Sequence, residues 1–104
     1  MVKRLVFSKE YREVLLKRGK VTTIRRRPLA SPGEHVDVYA GGEMVGRAMI
    51  EKIIEKKVSE LSNVDARRDG FKNIKELKRA LRKHYKDLDE SSVIYVHFLK
   101  WIEQ

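Results

Sequence analysis

The sequence has no cysteine among its 104 residues. That excludes a disulfide framework, a thiolate zinc site, an iron–sulfur cluster and a cysteine nucleophile. Its three histidines, His35, His84 and His97, are far apart and lack metal-ligand spacing, so no metal and no other cofactor is expected, and a surface or strand position suits each. No apolar run approaches the roughly 20 residues of a membrane span, and no signal-like apolar stretch follows the start. The expectation is therefore a cytoplasmic chain without a membrane partner. Glycine is scarce, at six residues, and none of it forms a nucleotide-binding loop; Gly41-Gly42 reads as a hairpin turn. Repeats, linkers and low-complexity stretches are missing too. One domain spanning 1–104 is the default at this length.

Charge is abundant. Lys and Arg number 24 against 15 Asp and Glu, a formal net charge of +9. A field of that sign on a small body attracts polyanions, which makes nucleic acid the first partner to consider. A surface rich in Lys, Arg and Glu is also what proteins of hot environments carry. The excess is uneven: residues 1–52 hold 12 basic and 6 acidic side chains, residues 53–104 hold 12 and 9. Its densest part is Lys17, Arg18, Lys20, Arg25, Arg26 and Arg27.

Lys3 to Phe7 reads as a short strand. Ser8 is placed to cap a helix carrying Tyr11, Val14 and Leu15 on one face, with Gly19 as its terminator. Val21 to Arg27 is β-prone, and Ser31-Pro32-Gly33-Glu34 is a turn. His35 to Ala40 alternates as a half-buried strand, and another apolar run, Met44 to Ile54, follows the glycine pair. Ser62 with Asp65 opens a short helix ending at Gly70, and Asn73 with Glu76 makes a capping box for a longer one. In that helix Ile74, Leu77, Ala80, Leu81 and Tyr85 share a face, and the basic residues elsewhere on it suit either solvent or phosphate. Val93 to Trp101 is apolar on both faces and reads as a central strand. Strands joined by tight turns predict an α+β fold: a small, mostly antiparallel β-barrel with helices capping its ends.

Within Arg18 to Arg25 stands Gly-Lys-x-x-Thr-x-Arg, a combination expected by accident about once in a thousand chains of this length. The pattern resembles the signature of the ASCH (activation-signal cointegrator homology) domain, of the PUA-like superfamily of RNA-binding barrels. The resemblance extends to the preceding helix, the Pro-Gly turn, the block from Ala66 to Tyr85 and the final strand. It implies a single PUA-like domain whose barrel mouth, formed by Gly19–Arg25 and Asp65–Phe71, accepts RNA or a modified nucleoside. Contacts there are expected from Gly19, Lys20, Thr23, Arg25, Arg26, Arg68 and Phe71. Some ASCH-type proteins are amidohydrolases that remove acetyl from N4-acetylcytidine, using a Lys, a Thr and a distant Glu. Carried over by position these are Lys20, Thr23 and Asp69, the last shorter than glutamate by one methylene. Thr23 would then be the nucleophile, Lys20 its base and Asp69 the partner of the leaving nitrogen. A third possibility, a subunit that recruits another protein, gains no support from the residues. The oligomeric expectation is a monomer or weak dimer.

The residues alone pose one difficulty. Lys20 and Thr23 fall on opposite faces of a regular strand, whereas Thr23 and Arg25 share one. Cooperation between Lys20 and Thr23 requires the strand to start after Lys20 or to bulge there. Asp69-Gly70 ahead of a helix also reads as an ordinary turn. Phe71 and Tyr39 are the better candidates for base stacking; Tyr95, Phe98 and Trp101 suit the core or rim.

Overall fold

A computed structural model describes residues 2–103. The chain runs β1 (Lys3–Phe7), a 3₁₀ turn (Lys9–Tyr11), α1 (Arg12–Leu16), β2 (Thr22–Arg25), β3 (His35–Ala40) and β4 (Glu43–Lys57). A second 3₁₀ turn (Val58–Glu60) leads to α2 (Asn63–Arg68), α3 (Ile74–His84) and β5 (Val93–Ile102). The strands form one sheet in the order β1-β3-β4-β5-β2. β1 lies parallel to β3, and the other three pairings are antiparallel.

The expected barrel is met only in part. The fold is α+β, but the sheet is mixed and forms a half-barrel, with β1 and β2 as its two edges. The parallel pair arises because α1 and β2 intervene between β1 and β3, so the chain returns to β1 from a distance instead of through a hairpin. β4 is the longest strand, and its register shifts between Ile50 and Lys52. A bulge there bends the strand, and β4 supplies Val45, Ala48 and Ile50 to one of two hydrophobic clusters. One is built around Leu5, Phe7, Leu15, Val36, Val38, Ala48 and Ile50; the other around Ile24, Val58, Ala66, Leu77, Leu81, Ile94 and Val96. β5 is paired on both sides, as its two apolar faces require.

Several local expectations need correction. Ser8 makes no side-chain cap. α1 is terminated by Arg18, which adopts φ +59°, not by Gly19. Gly19 is needed for space: a Cβ there would lie 3.0 Å from Val14 Cγ2. Asn73 caps α3 through the Glu76 N–H, but the Glu76 carboxylate accepts from Lys72 and leaves the box half made. The Ser62–Asp65 box is complete. β2 stops at Arg25, where β5 pairing ends at Tyr95, short of the predicted Arg27.

Candidate functional site

A cavity of about 310 Å³ opens between the unpaired edges of the half-barrel. β1 supplies Val6 and Phe7, β2 supplies Thr23, Ile24 and Arg25, and α3 supplies Leu77, Leu81 and His84. Lys20, Asp69, Phe71, Tyr11 and Tyr85 complete the wall. Phe7 belongs to one hydrophobic cluster and Ile24, Leu77 and Leu81 to the other, so the cavity lies along their seam.

β2 begins at Thr22, so Lys20 precedes the pleat and escapes the parity conflict. Its main chain is pinned on both sides: Trp101 Nε1 donates to Lys20 O at 3.0 Å, and Val21 N donates to Arg68 O at 2.8 Å. The side chain turns inward. Lys20 Nζ donates to Asp69 Oδ2 at 2.8 Å and to the Asp69 carbonyl at 3.0 Å. Rings of Phe7, Tyr11 and Phe71 surround the ammonium with centroids 5.5, 5.4 and 5.6 Å away, a distance at which ring quadrupoles attract a cation.

Asp69 sits at the end of α2, where Gly70 takes φ +89° and turns the chain away. Its other oxygen, Oδ1, accepts from Thr22 Oγ1 at 2.8 Å. Burial pushes the Asp69 carboxyl up, while the Lys20 ammonium and the Thr22 hydroxyl oppose that by binding its charged form.

Thr23 is buried on the opposite parity from Thr22. Its Oγ1 accepts from Arg25 Nε at 2.9 Å, which leaves the hydroxyl proton available to a ligand. Arg25 Nη2 also donates to Val6 O at 3.3 Å, tying edge β2 to edge β1, and the guanidinium lies 5.0 Å from the Phe7 ring centroid. Behind Thr23, the fully buried His97 accepts from Leu29 N through Nε2 at 3.1 Å. Its Nδ1 must then carry the proton, which it shares between the carbonyls of Thr23 (3.2 Å) and Tyr95 (3.1 Å). His97 is thus a neutral brace, and burial lowers its pKa.

The structure brings together Lys20, Thr23, Arg25, Asp69 and Phe71 of the expected contacts. The others lie outside the cavity wall. Gly19 packs on Val14, Arg68 stacks on Phe98 at 5.6 Å, and Arg26 pairs with Asp87 at 3.1 Å beside a neighbouring cleft. Tyr39 lies on β3, where Arg4 of β1 sits over its ring, and is not part of the cavity wall. The wall also holds residues that the sequence reading did not select. Thr22 is not part of that wall and was not selected either; it reaches the site through its bond to Asp69 Oδ1. Tyr11 and His84 are joined by a 3.2 Å hydrogen bond between elements 73 positions apart, which no local pattern reveals. Among the described residues no group of three His, Asp or Glu is placed to hold a metal, and no helix is long and apolar enough to cross a membrane.

No family model and no curated protein matches the chain. Solved structures do match. A DUF984 protein of Enterococcus faecalis V583 superposes with a TM-score of 0.78 at 13% identity, over 98% of this chain and 80% of that one. The ASCH domain from Lactobacillus crispatus JV V101 gives 0.73 at 14% identity, covering 86% and 69%. The chain has the fold of an ASCH domain. A second ASCH structure, from Zymomonas mobilis, agrees, with a TM-score of 0.68 at 20% identity over 94% of this chain and 67% of that one. Identities this low establish the ASCH fold and leave the chemistry to be argued from the cavity.

Proposed function

We propose that the cavity is a binding pocket for a single base of RNA or for a modified nucleoside. The observation that carries this reading is the composition of one wall: Lys20, Thr23, Arg25 and Asp69 face the same space as Phe7, Tyr11 and Phe71. Flat apolar rings suit the faces of a base, and the polar groups suit its edge. The volume is at the small end for ligand pockets, which fits one base better than a helix. The test is calorimetric titration with cytidine and N4-acetylcytidine. Saturable binding that is lost in Thr23→Val and weakened in Phe71→Ala supports the pocket. Binding unchanged in both variants would place the ligand elsewhere.

The Lys20–Asp69 pair favours a second reading, amide hydrolysis of N4-acetylcytidine. Burial raises the proton affinity of Asp69, so moving the proton from Lys20 to Asp69 costs less than it would in water. The neutral amine can take the Thr23 proton as Oγ1 adds to the acetyl carbonyl. Arg25 on Oγ1 stabilises developing negative charge, and protonated Asp69 can return a proton to the departing cytidine nitrogen. Water then releases acetate from Thr23. Chromatographic appearance of cytidine, lost in Lys20→Met and in Thr23→Val, supports this reading; no cytidine above the blank removes it for that substrate.

A further inference from the structure

Charge accounting in the cavity leaves one group uncompensated. Lys20 and Asp69 neutralise each other at 2.8 Å. Arg25 has no carboxylate at ion-pair distance among the described residues; its partners are a hydroxyl and a main-chain carbonyl, both formally neutral. Only two of the five guanidinium N–H groups are used by those bonds, and Nη1 makes none. Desolvation lowers the Arg25 pKa, which marks its charge as poorly solvated where it stands. Buried charges in proteins are normally paired, because leaving one unpaired costs several kcal/mol. No buried side-chain nitrogen or oxygen among the described residues lacks a partner, so the unpaired Arg25 Nη1 is open to the cavity or to solvent.

We infer that the ligand supplies the missing countercharge: the pocket takes a phosphorylated nucleoside, with phosphate oxygens on the free N–H groups of Arg25. This rests on the nucleobase reading above and narrows it. The surroundings agree. Tyr85 lines both the cavity and an adjoining cleft bordered by Arg26 and Arg27, so the positive surface continues outward from Arg25. Arg27 is exposed and, among the described residues, engages no carboxylate. Guanidinium groups meet phosphate oxygens in pairs, a geometry that an ammonium does not offer.

The experiment titrates the protein with cytidine, cytidine 5′-monophosphate and inorganic phosphate, each in wild type, Arg25→Gln and Arg25→Lys. The expected result is nucleotide binding roughly tenfold or more tighter than nucleoside in wild type. That ratio falls to near one in Arg25→Gln and is partly kept in Arg25→Lys. Because it is read within each variant, a general loss of folding does not imitate it. Equal affinity of nucleoside and nucleotide in wild type overturns the inference and leaves the nucleobase pocket standing. Phosphate binding that depends on Arg25, with no gain from an attached nucleoside, keeps the anion site and overturns the nucleobase reading. Failure of all three probes overturns both. A cytidine trinucleotide separates the two phosphate sources: tighter binding with a steeper salt dependence than the mononucleotide assigns a strand phosphate, and equal binding assigns a terminal one.

Discussion

Lys20 Nζ and Asp69 Oδ2 meet at 2.8 Å across 49 positions of chain, with side chains only 4% and 5% exposed. A buried ion pair is costly to desolvate but far more costly to break on one side. Lys20→Met and Asp69→Leu are each expected to lose about 3–5 kcal/mol. The double variant should lose less than their sum by about 1–3 kcal/mol. Urea unfolding of the three variants checks this, and strictly additive losses would mean that the pair is not coupled.

Thr22 has a narrower task. Its hydroxyl donates to Asp69 Oδ1, so Thr22→Val strands a buried carboxylate oxygen at a cost of about 1–3 kcal/mol. Thr22→Ser keeps the donor and should recover most of that. If both variants unfold at the same urea concentration, the hydroxyl contributes nothing.

His97 sets a pH dependence. Its folded pKa is lowered by burial, whereas in the unfolded chain it titrates near the ordinary value of about 6.5. Below that pH the unfolded state binds a proton that the folded state refuses. The contribution is therefore complete well above pH 6.5 and is lost as the pH falls, by up to about 1.4 kcal/mol per unit for one proton. Urea midpoints between pH 7.5 and 5.5 should fall in wild type and fall less in His97→Gln. An identical slope in the variant assigns the effect to other groups.

Gly70 and Gly33 offer a matched comparison. Both take positive φ, +89° and +90°, but a Cβ on Gly70 would meet Val14 Cγ2 at 3.3 Å and Lys20 Cβ at 3.6 Å, while one on Gly33 meets nothing within 4 Å. Backbone strain alone costs alanine about 1–3 kcal/mol at such angles. Gly70→Ala should therefore have the lower melting temperature and should disturb ligand binding, and Gly33→Ala should leave binding intact. Equal melting temperatures would show that the approach of Gly70 to Val14 is not tight.

The local elements were legible because their signals are local. The alternation of Val36, Val38 and Ala40 and the glycine pair after them mark β3 and its hairpin. The Ser62–Asp65 box marks the start of α2. The Gly-Lys-x-x-Thr-x-Arg pattern led to Lys20, Thr23 and Arg25, and all three line the cavity. The end of α1 was misread because a left-handed turn is ordinarily assigned to glycine. Here Arg18 takes it, held by bonds to Leu15 O, Val45 O and Glu103 and by stacking on Trp101 at 4.2 Å. Apart from Leu15, those partners come from two distant parts of the chain, and so nothing beside Arg18 announces them.

Residue order thus dictates the strands, the caps and which polar side chains are candidates, since those depend on neighbours within a few positions. Assembly decides the rest. Whether the sheet closes, which edge strand faces which, and that Asp69 has Lys20 on one oxygen and Thr22 on the other all follow from packing of segments remote in sequence. So does the absence of a carboxylate at ion-pair distance from Arg25 among the described residues: a side chain's electrostatic surroundings are set by what lies within a few ångströms, and in this molecule most of that comes from elsewhere in the chain.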